Sequence, residues 1–83
     1  MAGVNGYTRQ EHAVIGIAAE FFRRKPKEFT PDSEVEGYRF TSFVKERLGC
    51  PTMINAPRIT IREVAGWVPA ECLNGNGPRK GKG

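Results

Sequence analysis

The chain has 83 residues, a formal charge of +4, and 39% hydrophobic and 27% charged residues. That balance excludes a disordered chain and an array of domains, and it limits the core to about 60–65% of the unfolded surface. The longest apolar run, Ala13 to Ala19, is shorter than the ~20 residues a bilayer span needs, and MAGVNGYTRQEH lacks the layout of a signal peptide. The expectation is a cytoplasmic protein with no membrane contact.

The first element opens at Thr8-x-x-Glu11, the spacing at which a threonine caps an orphan N–H and the glutamate reaches back to the cap. Ala13, Val14, Ile17, Ala18 and Phe21 then recur at helical intervals. Ile15 and Phe22 widen the stripe, and His12, Gly16, Glu20 and Arg23 fall opposite. The spacing predicts an amphipathic helix over 9–25, preceded by a flexible N-terminus, 1–8. It ends in RRKPK, where cations complement the helix dipole and Pro26 cannot continue the helix.

FTPDSEV offers a second start: Thr30 as cap, Pro31 in the first helical position, Asp32 and Glu34 at the positive end of the dipole. Gly37 interrupts. Phe40, Phe43, Val44 and Leu48 then share a helical face that Val35 does not continue. The expectation is two helices, 31–36 and 40–48, joined by the bend EGYR, with Gly49 closing the second and Pro51 beyond it.

After the loop CPTMINAP, Ile59 and Ile61 alternate with Arg58, Thr60 and Arg62, the two-residue period of a β-branched strand. Ala65-Gly66 supplies a turn and Trp67-Val68 a return strand, which makes a C-terminal β-hairpin. A helical alternative stays open, because Thr60-x-x-Glu63 is a second capping-box spacing and Pro69 to Leu73 suits a short final helix. Residues 74–83, NGNGPRKGKG, read as a disordered basic tail.

Little here supports catalysis. His12 is the only histidine, so no relay with serine or cysteine has a local spacing, and no metal motif or phosphate loop is present. The expectation is a protein without enzymatic activity, cofactor, metal or small-molecule substrate. Cys50 and Cys72 are expected to be separate thiols in a reducing compartment.

The basic balance points to an anionic partner, but Arg79, Lys80 and Lys82 supply three of the four net charges. Binding must therefore depend on how charge is arranged on the body. The order of elements resembles a winged helix-turn-helix over residues 9–73: an α+β, mostly helical domain of three helices plus a C-terminal hairpin, or all-α with short C-terminal helices in the alternative. That resemblance implies a small regulatory protein that binds duplex DNA, with the helix after the bend in the major groove and the hairpin on the backbone. Arg39, Thr41, Ser42 and Lys45 would face the DNA, Arg58 and Arg62 would clamp its backbone, and Arg79, Lys80 and Lys82 would add phosphate contacts. A homodimer would double this basic surface.

TIREVAGWVPAECLNG is also loosely similar to the opening helix-turn-helix of LacI-type repressors, but Gly66 directly after Ala65 leaves that first helix short. A different class of function is a protein-binding module or inhibitor docking through a patch around Trp67. The two readings separate on one feature. DNA binding needs Arg39, Lys45, Arg58 and Arg62 on one face, whereas docking needs an exposed apolar patch at Trp67.

Overall fold

The computed structural model describes residues 6–50 and 56–74. The expectations for 1–5, for most of the CPTMINAP loop and for all but the first residue of the basic tail lie outside them. The described chain runs α1 (Arg9–Phe22), a 3-10 turn (Pro26–Glu28), β1 (Glu34–Glu36), α2 (Tyr38–Leu48), β2 (Arg58–Thr60), α3 (Ile61–Trp67) and a 3-10 segment (Ala70–Asn74). It is α+β and mostly helical, with three helices and one two-stranded antiparallel sheet.

α1 begins as its capping box dictates. Glu11 N donates to Thr8 Oγ1 at 3.0 Å, and Thr8 N donates to Glu11 Oε1 at 2.9 Å. The helix stops at Phe22, short of the expected 25. Arg23 turns left-handed (φ 58°), and Arg24 N donates to Ala19 O at 2.9 Å, the closure of a Schellman motif. Lys25 is then extended, as a residue before proline prefers. Gly16 sits exposed in the middle of α1 with nothing within 4 Å of where a Cβ would stand. Gly16→Ala is therefore expected to stabilise the protein by about 1 kcal/mol. A thermal melt checks this, with a midpoint rise of roughly 4–8 °C for a domain of this size.

The expected helix over 31–36 is not formed. Thr30–Ser33 make a turn instead: Ser33 N donates to Thr30 O at 3.0 Å, Thr30 N to Ser33 Oγ at 2.9 Å, and Asp32 N to Thr30 Oγ1 at 3.2 Å. Threonine, proline, aspartate and serine suit a turn as well as a helix start. What decides is a partner distant in sequence. Glu34, Val35 and Glu36 pair with Thr60, Ile59 and Arg58, and Val35 and Ile59 are both buried. The turn carbonyls also receive the start of α3, since Ile61 N donates to Ser33 O and Arg62 N to Pro31 O, at 3.0 and 2.7 Å.

α2 starts at Tyr38 and ends at left-handed Gly49. Its N-terminus is capped from outside: the Glu36 carboxylate accepts from Arg39 N and Phe40 N at 3.0 and 3.2 Å. Gly37 is buried, and its N–H donates to Pro57 O at 2.9 Å.

The C-terminal hairpin is likewise not formed. Only Arg58–Thr60 is strand, and Thr60 is the N-cap of a helix over Ile61–Trp67 with the full capping box to Glu63. Ile59 and Ile61 both point inward, but across a strand-to-helix junction rather than along one strand. Gly66 lies inside this helix, so the glycine does not prevent it from packing: Ile61, Val64 and Ala65 are all buried.

α1 packs against both α2 and α3, and the core collects Val14, Ala18, Phe40, Val44, Ile61 and Val64, with Tyr7 and Leu73 at its edge. The two cysteines are not separate thiols. Cys50, just past α2, and Cys72 form a disulfide with Cα atoms 6.5 Å apart, within the ordinary span for such a bond. No helix among the described residues is long and apolar enough to cross a membrane.

Candidate functional site

The residues expected to face DNA fall into three groups. Arg39, Ser42 and Lys45 recur along the exposed side of α2 and line one open groove of about 920 Å³. Phe21, Tyr38, Phe43, Glu46 and Cys50 line it too, so its walls are aromatic and its rim charged. Tyr38 is 50% exposed. Arg39 and Lys45 have no ion-pair partner among the described residues, which leaves their charge open to an anion.

Thr41 departs from this face. It is buried, and its hydroxyl donates to Tyr38 O at 3.2 Å. The buried stripe of α2 runs through Phe40, Thr41 and Val44, so the helix is rotated relative to the face expected from Phe40, Phe43, Val44 and Leu48. Phe43 stands half-buried at the groove wall instead.

Arg58 and Arg62 form a second group, engaged by carboxylates. Arg58 Nε is 3.1 Å from Glu34 Oε1 across the ribbon. Arg62 pairs with Asp32 and stands 3.7 Å from Glu11 Oε2. They do not share a hairpin face, because one is on β2 and the other in α3. The exposed pairs with Glu34 and Asp32 add only about 0–1 kcal/mol each to stability. Their electrostatic effect is larger, since each carboxylate repels a phosphate approaching its arginine. Arg24 and Arg47 are paired in the same way, with Glu28 and Glu20.

Arg79, Lys80 and Lys82, the third group, lie outside the described residues. Trp67 ends α3 and is 47% exposed. Among the described residues no group of three or more His, Cys, Asp or Glu side chains is disposed to hold a metal ion.

Two features of the site escape sequence reasoning. Glu36 positions Arg39 by accepting from its backbone N–H, and a glutamate three residues before an arginine carries no distinctive signal. Phe21 joins the groove from α1, a contact that only the packing of α1 on α2 creates. No family model, curated protein or solved structure matches this chain.

Proposed function

We propose that this protein is a small, non-enzymatic DNA-binding module of the cytoplasm that presents α2 to a duplex. The observation that supports this reading is the division of the cations. Arg39 and Lys45 flank Ser42 in one groove without a carboxylate partner among the described residues, while Arg24, Arg47, Arg58 and Arg62 are paired and the other open cations Arg23, Lys25 and Lys27 lie off the groove. Arginine suits a guanine edge or a phosphate, serine adapts to base or backbone, and lysine neutralises phosphate. Glu46 in the same groove opposes indiscriminate binding and favours one orientation of the duplex. Arg79, Lys80 and Lys82 add sequence-independent phosphate contacts.

In this reading the domain resembles a winged helix only coarsely. A helix faces the DNA and a two-stranded ribbon supports its N-terminus through Glu36, but the arginines near the ribbon serve the fold's own carboxylates.

The test is fluorescence anisotropy of the full chain with duplex DNA across several salt concentrations. Arg39→Ala combined with Lys45→Ala is expected to weaken binding and flatten the salt slope by about two units, one for each phosphate that is no longer neutralised. An unchanged slope removes α2 from the interface. One observation favours a second reading: Trp67, a residue type over-represented among binding hot spots, is half exposed at the end of α3. If the full chain binds no duplex even at low salt, a protein partner docking on Trp67 takes precedence.

A further inference from the structure

The Cys50–Cys72 bond joins two places that bear on the α2 face. Cys50 follows the Gly49 cap, is 2% exposed and lines the groove with Arg39, Ser42 and Lys45. Cys72 lies half-buried on the 3-10 segment Ala70–Asn74, from which the chain continues to Arg79, Lys80 and Lys82. The packed apolar cluster that unites α1, α2, α3 and the ribbon contains neither cysteine. The bond thus runs from a fully buried cysteine at the end of α2 to a half-buried one on the 3-10 segment, beside the candidate interface.

We propose that Cys50 and Cys72 form a redox latch on the DNA-binding face. Closed, the latch fixes the C-terminal end of α2 and the point from which the basic tail departs. Open, it frees both, and DNA binding weakens. The inference rests on the DNA-binding reading of α2 given above.

The chemistry balances with a small-molecule disulfide such as oxidised glutathione as oxidant. The more exposed Cys72, as thiolate, attacks one sulfur of that disulfide and releases one glutathione thiol. Cys50 then attacks the Cys72 sulfur, forms the protein disulfide and expels the second glutathione thiol. The two protein thiols lose two protons and two electrons in all, and the small disulfide gains both pairs as it becomes two thiols. Opening is the reverse reaction, driven by excess thiol. A reducing cytoplasm holds the latch open and an oxidative shift closes it.

The experiment compares the full chain, oxidised and after dithiothreitol, by duplex-DNA anisotropy at fixed salt. Maleimide mass tagging reads the state of the thiols, far-UV circular dichroism reads the fold, and amide exchange reads the last turn of α2. The reduced chain is expected to keep its helical spectrum, to exchange faster at Lys45–Gly49 and to bind at least about fivefold more weakly, the lower end of ordinary coupling between sites. Cys50→Ser combined with Cys72→Ser should bind like the reduced chain and ignore dithiothreitol. Equal affinity of the two forms overturns the latch and leaves the DNA-binding reading standing. Binding by neither form overturns that reading and the latch with it. Loss of the helical spectrum on reduction would make the bond a folding staple and also overturns the latch.

Discussion

Phe40→Ala is expected to lower stability by about 3–5 kcal/mol, the cost of emptying a large aromatic site in a core that cannot collapse around it. Phe40 is wholly buried, and its ring stands 5.7 Å from both Phe21 and Phe22 of α1. Phe21 in turn stands 5.0 Å from Phe43, so one ring joins the core to the groove wall. Removing Phe40 takes away burial and leaves two aromatic neighbours facing a void. A domain of this size has roughly 4–12 kcal/mol of stability in total, so the variant sits near the limit of folding. Urea denaturation checks this, with Phe43→Ala as the internal comparison. That half-buried ring should cost clearly less, and equal losses would mean that the packing centre lies elsewhere.

Gly37→Ala is expected to destabilise by about 3 kcal/mol, the upper end of what forcing an extra methyl group into a packed site costs. A Cβ at this position would stand 1.7 Å from the Ala56 carbonyl oxygen and 2.9 Å from its carbon. The obstacle is backbone, so no rotamer change relieves it. The chain entering β2 must move away, which breaks the Gly37 N to Pro57 O bond and strains the adjacent Glu36–Arg58 pairing. φ at Gly37 is −87°, so the requirement is close approach and not backbone conformation. Measured by urea denaturation, a loss under about 1 kcal/mol would show that the β2 entry yields easily. The sequence reads this glycine as an interruption between two helices, whereas its role is to let a strand-bearing segment pass against the start of α2.

The two capping-box signals hold because both partners of each are local, whereas the helix start expected at Thr30–Pro31 gives way to a turn and a strand. Thr8 and Glu11 lie within one turn of each other, as do Thr60 and Glu63, and both boxes form. Gly49 closes α2 because a left-handed cap costs least at a residue without a Cβ, although Arg23 makes the same turn after α1. The Ile59/Ile61 alternation misleads, since an inward-facing strand residue followed by an inward-facing residue in a helix's first turn also gives a period of two. The capping box at Thr60 is the better guide, because it requires a specific side-chain geometry and not merely a spacing of apolar residues.

The candidate site is legible in part. Arg39, Ser42 and Lys45 follow from helical periodicity once Phe40 and Val44 are assigned inward. Thr41 does not, because periodicity places a stripe but does not settle which flank of it a neighbour covers. The pairing of Arg58 with Glu34 and of Arg62 with Asp32 depends on residues far apart in sequence.

The sequence alone carried α1 and α2, the capping boxes at Thr8 and Thr60, the Gly49 cap and most of the apolar residues that meet in the core, because each of these depends on neighbours within a few residues. Tertiary structure alone decided that 34–36 is a strand, that Cys50 reaches Cys72 and that some arginines are neutralised while Arg39 and Lys45 stay open among the described residues. Each of those outcomes turns on a contact between distant parts of the chain, and α1, packed against both α2 and α3, helps to hold those parts together.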